Sequence, residues 1–525
     1  MNLHRNARIL FSIAIVLTAN ACFAQTPAPR PGEEYDGIAI AVSDAPAALS
    51  PVNIVVRESE TVRPMSSLLF GFNHNWHQSE HLIFGPASDR PTDDYQAAAA
   101  GLPMPLNRMS GTGSQHYHWK ELIGPLDQRI PQIPPAGGVP VRHLGPLEWV
   151  KSVWLTDPTA EFAWVLNMWQ DTPEDHADLA RLFTADHEDR WGRHRWEAGI
   201  DRPVPVRIWE LGNELDWGAF REDFPLDRYI AECRKTIAAI RAVLPKARFA
   251  AHALTAPWSP RALDLRGGWR TWHRTVLAEL GPDLDYIVLH PYYHGSPVPV
   301  VEHYVQTIID DIHEVTGEER INLFISEHAA WPPRPADPAK RWQDTWHLTH
   351  GLHGCLATGE FLNRMLARPQ VTAAGYHSFS AGPWGVLYRD GETNRAFRTG
   401  IHDLFRLYGE AAGDAVVAST VSGARTDVTQ EDLSFTAVAM RTADGLNLVI
   451  VNREPFAARM TEFTFEETYD FTEALTLTGD TMESHNTAGQ RGIKMERITP
   501  PAASAAFASY ASPAKSITVL KLRLR

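Results

Sequence analysis

From about residue 65 the chain repeats one rhythm: a short apolar run, a polar loop, then a stretch with helical spacing. Eight runs read as strands: 66–75, 103–111, 161–169, 206–214, 247–255, 284–293, 321–329 and 371–380. The clearest helical stretches between them are 226–245, 269–280 and 299–317. Continuous apolar runs alternating with helices indicate buried parallel strands and the α/β class. Eight such units over residues 65–412 predict a (β/α)8 TIM barrel, a fold whose functional site lies at the C-terminal ends of its strands. The polar residues follow that polarity. Arg108, Asn167, Asn213, Glu214, His252, His290, Glu327 and His377 all fall at or near the ends of apolar runs.

After residue 412 the period changes. The runs 433–441, 446–454 and 515–524 alternate apolar and polar positions without intervening helices. This predicts a C-terminal antiparallel β-sandwich over 413–525. An earlier strand-like segment within 51–64 precedes the barrel and is expected to join the sandwich, which would place both chain ends in one domain.

The first residues form neither pattern. Arg5 and Arg8 precede the apolar stretch Ile9–Leu17, and a small-residue site follows, with cleavage expected after Ala24. The apolar stretch is too short to span a bilayer, which takes about 20 residues. Residues 1–24 therefore read as a secretory signal peptide, and the protein as exported to the periplasm or outside the cell. A lipid-carrying Cys22 is disfavoured, because Ala19-Asn20-Ala21 lacks the usual Leu. Residues 25–50, rich in Pro, Ala and Gly, read as a linker or extended arm.

Composition narrows the class. The 525 residues are 44% hydrophobic and 21% charged, which excludes a disordered or collagen-like chain. A formal net charge of −14 argues against nucleic acid as a partner, and no segment beyond the leader is apolar enough for a membrane span. Cys233 and Cys355, both in helix-like stretches, are expected to be buried free thiols. No phosphate loop, dinucleotide fingerprint, nucleophile elbow or ordered His/Cys spacing appears, so neither a cofactor nor a metal is expected.

The candidate chemistry lies in two carboxylates. Glu214 ends the fourth apolar run and Glu327 the seventh, so a barrel would aim them into one bowl from opposite sides. Retaining glycoside hydrolysis needs two carboxyl groups about 5–5.5 Å apart: one protonates the leaving oxygen and then activates water, and the other attacks the anomeric carbon.

The stretches WELGNELDWG, FISEHAAW, LHPYY and NRMSGTGSQHYHWKELIGP resemble clan A of the glycoside hydrolases, most closely the family 51 α-L-arabinofuranosidases. The resemblance covers roughly residues 65–412 and extends weakly into the sandwich. It implies an oligosaccharide or polysaccharide substrate, with Glu214 as general acid/base and Glu327 as nucleophile. Asn213 would bind the sugar hydroxyl beside the anomeric carbon. Arg108 would hold Glu327 ionised. Tyr292 or Tyr293 would donate to the nucleophile, and His290 would orient the site. Trp217 and Trp331 would wall the sugar. A homo-oligomer is compatible with the same resemblance.

Two departures concern the sugar rather than the reaction. The family's Gly-Gly-Asn after the strand-two Arg is here Ser110-Gly111-Thr112, and its strand-one Glu is replaced near His74 and Asn75. Arabinofuranosides are the leading expectation; galactofuranosides, xylosides and glucuronides stay open, as do a non-catalytic carbohydrate-binding barrel and a uronate lyase. His74, Asn75, His116 and His118 are candidates for reading other substituents. The 17 Trp suit a sugar site, because indoles stack on sugar faces. Trp76, Trp119, Trp169, Trp258 and Trp384 join Trp217 and Trp331 as stacking candidates. Trp149, Trp154, Trp164 and Trp196 read as packing residues, and Trp209 flanks Glu214.

Overall fold

The computed structural model describes residues 34–35, 38–39 and 51–525, except 86–87, 136, 138–139, 256–267, 294–297, 318, 334, 336, 381, 424–434 and 501–503. The leader, Cys22 and Trp258 lie outside the described residues. Within the expected linker, Glu34–Tyr35 pairs with Ile38–Ala39.

Eight parallel strands close into a barrel. In chain order they are Gly71–His74, Leu106–Met109, Glu161–Val165, Val206–Glu210, Phe249–His252, Tyr286–Val288, Asn322–His328 and Val371–His377. The eighth pairs back onto the first, Gly375 opposite Gly71. Each strand falls within one of the eight apolar runs, so the sequence rhythm and the closed fold agree. Gly71 is required at that seam: a Cβ there would stand 2.5 Å from the Ala374 carbonyl oxygen and 2.8 Å from that of Leu106.

Strand periodicity places the site. Leu106, Ala163, Ile208, Ala250, Val288 and Phe324 form one apolar layer inside the barrel. Side chains two positions further along point the same way. The next interior layer is therefore occupied by Arg108, Glu210, His252, His290 and Ser326, all buried. A dry apolar plug thus carries a polar layer at the C-terminal mouth.

The second unit is an eight-stranded sheet in which Val52–Pro64 pairs antiparallel with Ala415–Ser422. The long strand Arg459–Gly479 serves two neighbourhoods. Its first part runs parallel to Val52–Val55, and its later part pairs with Ser516–Leu524 and Ile493–Ile498. One set of side chains, including Ile54, Phe435, Leu448, Ile450, Phe463 and Leu520, forms the sandwich core. The opposite set, including Val449, Val451, Ile517 and Val519, joins the barrel's outer core. The helix Leu352–Leu366 sits between them, almost wholly buried. Gly359 allows this approach, since a Cβ would lie 2.7 Å from Ile517 Cδ1. The buried pair Arg453–Glu360 (2.8 Å) ties the sandwich to this helix. Cys233 and Cys355 are buried and free. Among the described residues, no helix is long and apolar enough to cross a membrane.

Candidate active site

Arg108 is the hub of the polar layer. Its Nε and Nη2 each donate to Glu210 at 2.7 Å, a bidentate pair, and Nη1 donates to Glu327 Oε1 at 2.8 Å. Nη2 also reaches Asn213 Oδ1 at 2.6 Å. The guanidinium has no solvent exposure, so its charge is met entirely by these oxygens. Asn213 in turn donates to Thr112 Oγ1 at 3.4 Å. Thr112 occupies the position where the family pattern has Asn.

Glu327 reaches the site through an irregularity. Ser326 faces inward, so strict alternation would turn Glu327 out. The pairing with the eighth strand shifts register between Ile325 and His328, which re-aims the chain there. Its Oε1 takes Arg108, and its Oε2 accepts from the Tyr292 hydroxyl at 2.7 Å. Gly111 supplies the space, because a Cβ there would stand 2.6 Å from Glu327 Oε1. Burial alone would raise the carboxyl's pKa. The charges of His290, His377 and Arg108 and the Tyr292 hydrogen bond reverse this and hold it well below the usual carboxylate range.

Glu214 stands in the opposite condition. It lies four residues beyond the end of the fourth strand, in a turn where Gly212 has φ 83° and Glu214 itself φ 49°. A non-glycine side chain held at positive φ is strained, a condition found at functional sites. Burial and the negative charges of Glu327 and Asp216 push its pKa up, against the hydrogen bond it makes with His290. His290 Nδ1 lies 2.9 Å from Glu214 Oε1, and its Nε2 lies 2.8 Å from Ser326 Oγ. Burial pulls the imidazole's pKa down, but Glu327 and Glu214 outweigh it and raise the pKa overall. Donor atoms of Glu214, His290 and Glu327 all lie within 4.8 Å of one another. Such a trio could ligate a cation, but Arg108 and Tyr292 already occupy the two Glu327 oxygens.

Several expectations are corrected by side-chain direction. Tyr293 does not face the site: its hydroxyl bonds Thr358 at 3.0 Å, and its ring stacks on Phe361. It alternates with Tyr292, which shares the parity of His290 and faces in. His74 is turned out of the barrel onto Phe379, with Nε2 bonded to Asn107. Trp209, which flanks Glu214 in sequence with its facing left open there, packs in the outer core. Trp76 and Trp119 are buried, with Trp76 Nε1 donating to the Gly113 carbonyl. Trp196, read as a packing residue, is instead 52% exposed.

The remaining candidates lie at the mouth. Asn75 sits one residue past the first strand, its Oδ1 turned toward Gly113. Trp217 is half-buried, and its amide donates to the Glu214 carbonyl. Trp331, Trp384 and Tyr292 pack ring against ring at 5.2–5.6 Å beside Glu327, with His377 against Trp384. Trp169 meets His116 and Phe220, and His118 lies 4.0 Å from Asp171. Sequence reasoning missed Glu210 and Ser326. The signal was available: each lies two residues beyond an apolar interior position, as Arg108 and His290 do.

A barrel with two buried carboxylates of opposite electrostatic bias at its C-terminal mouth has the layout of a two-carboxylate glycosidase. No family model matches the chain. The "Intracellular exo-alpha-(1->5)-L-arabinofuranosidase" of Acetivibrio thermocellus is 24% identical over 196 residues, 37% of this chain and 37% of that protein. "Alpha-L-arabinofuranosidase C" of Emericella nidulans is 24% identical over 288 residues, 51% of this chain and 56% of that protein. The chain therefore spans little more than half the length of these relatives at most. In fold it resembles the GH51 arabinofuranosidase of Xanthomonas axonopodis pv. citri, with a TM-score of 0.75, 18% identity, and coverage of 90% of this chain and 100% of that one. The chain is thus similar in sequence to α-L-arabinofuranosidases and in fold to a GH51 arabinofuranosidase.

Proposed function

We propose that this chain is an exported retaining glycoside hydrolase, exo-acting on α-L-arabinofuranosides or closely related furanosides. The observation that carries this reading is the pair itself. Glu214 and Glu327 each bring one oxygen within 4.8 Å of the other, a close approach that supports a double displacement. Glu327 is held ionised and serves as nucleophile. Glu214, whose pKa burial and the neighbouring carboxylates push up, serves as general acid. Once Glu327 is glycosylated it loses its charge, Glu214 ionises more readily, and it activates the water that releases the sugar. Arg108 and Tyr292 orient the nucleophile, and the rings of Trp331 and Trp384 form a wall beside it. The activities of the relatives named above support arabinofuranosides, and the leader-like residues 1–24 support export.

The test is a panel of aryl glycosides of arabinofuranose, galactofuranose, xylose, glucose and glucuronic acid, with the first-formed anomer read by NMR. Hydrolysis of the α-L-arabinofuranoside with retained configuration is expected, and Glu327→Ala should lose roughly 1,000-fold or more in kcat/KM. Inversion would remove the role given to Glu327. Binding of oligosaccharide without turnover would indicate a carbohydrate-binding barrel, and unsaturated products absorbing in the ultraviolet a lyase.

A further inference from the structure

The polar layer contains a carboxylate that this mechanism leaves without a task. Glu210 ends the fourth strand, is wholly buried, and binds Arg108 bidentately. Its Oε1 also accepts the Ser326 hydroxyl at 3.1 Å. Ser326 has one hydrogen to give. With that hydrogen on Glu210, the Ser326 oxygen facing His290 Nε2 at 2.8 Å can only accept, so Nε2 must carry a proton. The other nitrogen, Nδ1, is then either a bare lone pair or half of an imidazolium. A bare Nδ1 can only accept, and the atom 2.9 Å away is Glu214 Oε1. A neutral imidazole in this tautomer can therefore take this hydrogen bond only from a protonated Glu214, whereas an imidazolium donates Nδ1–H to Glu214.

We propose that Glu210 is a positioning residue that orders this proton: through Ser326 it fixes the His290 tautomer that keeps a hydrogen on Glu214, while it shares the Arg108 charge with Glu327. The inference rests on the reading of Glu214 as general acid. One carboxylate thereby serves both sides of the site. Toward Arg108 it limits how much positive charge falls on Glu327, which must remain nucleophilic. Toward His290 it sets the direction of three consecutive hydrogen bonds, because a carboxylate can only accept. Were the relay cut, His290 could carry its proton on Nδ1 and donate to ionised Glu214, which would favour loss of the acid's hydrogen.

Ser326→Ala cuts the relay without touching a charge, and Glu210→Gln alters both arms. The first readout is the ¹⁵N spectrum of histidine-labelled protein, with His290 assigned by its absence in His290→Gln. The wild type should show a protonated Nε2, and Ser326→Ala a shift of the proton to Nδ1. An unchanged ¹⁵N pattern would overturn the proposal. The second readout is the leaving-group dependence of kcat/KM, since only a poor leaving group needs the acid. Ser326→Ala should lose about 10-fold or more on an alkyl arabinofuranoside but little on a dinitrophenyl one, and its basic limb should move down by about one pH unit. Glu210→Gln should lose rate on both substrates, since Arg108 would then bear on Glu327 alone. Equal losses on both substrates for Ser326→Ala, with an unmoved limb, would mark a merely structural hydroxyl and overturn the proposal. A wild type inactive on every glycoside would sink the hydrolase reading instead, and the ¹⁵N readout would still decide the proton order.

Discussion

Glu214 and Glu327 are the same residue type, in one cavity, with opposite tendencies, and their partners account for the difference. Glu327 faces a guanidinium, two imidazoles and a phenol; Glu214 faces other carboxylates and one imidazole hydrogen-bonded to it. The pH dependence follows with a definite sign. kcat/KM should rise as pH increases through the depressed Glu327 value, because the nucleophile must be ionised. It should fall as pH passes the raised Glu214 value, because the acid must keep its hydrogen. A profile with its acid limb above the ordinary carboxylate range would contradict the Arg108 contact. Gly111 sets a stricter condition at the same scale. A Cβ there would stand 2.6 Å from Glu327 Oε1, so a side chain at this position meets the nucleophile directly. Gly111→Ala should displace the nucleophile and lower kcat on the order of 100-fold. A near-normal kcat would mean that Glu327 yields without consequence.

At the scale of the strand, period two decides which residues meet. All eight barrel strands were legible from their apolar runs, as was the concentration of polar residues at their ends. The choice between Tyr292 and Tyr293 was also within reach, since Tyr286, Val288, His290 and Tyr292 share one parity and Tyr293 the other. The inward turn of Glu327 was not legible. It breaks that parity through a register shift set by pairing with the eighth strand, and a strand's own sequence does not reveal its neighbour's register. Glu210 was hidden differently: beside Asn213-Glu214 it read as part of a motif, while its bidentate partner lies 102 residues away. The two tyrosines offer a direct contrast. Tyr292→Phe removes the donor to Glu327 and should lower kcat about 10-fold, with stability nearly unchanged. Tyr293→Phe removes hydrogen bonds among Thr358 and His328 and should cost about 1 kcal/mol of stability, with kinetics unchanged. Exchanged phenotypes, read by steady-state kinetics and thermal melts, would invert the assigned facing.

For the whole molecule the question is whether barrel and sandwich are separable. Their packing argues that they are not. The sheet presents Val449, Val451, Ile517 and Val519 to the same core as the barrel helices, and the helix Leu352–Leu366 is buried by both. Chain connectivity adds to this, since Val52–Pro64 lies in the sandwich sheet before the chain enters the barrel. The distribution of tryptophan makes the question measurable. Every Trp lies between residues 76 and 384, so indole fluorescence reports on the barrel and its loops alone. Leu520 lies in the sandwich's own core, on the face turned away from the barrel. Leu520→Ala should cost about 2–5 kcal/mol through lost transfer energy and the cavity left behind. If the two units unfold together, the Trp-detected urea midpoint must fall by the full amount, although the core cluster around Leu520 holds no Trp among the described residues. A far-ultraviolet transition that splits into two steps, with the Trp step unmoved, would show instead that the sandwich unfolds alone and that the shared helix does not couple it to the active-site barrel.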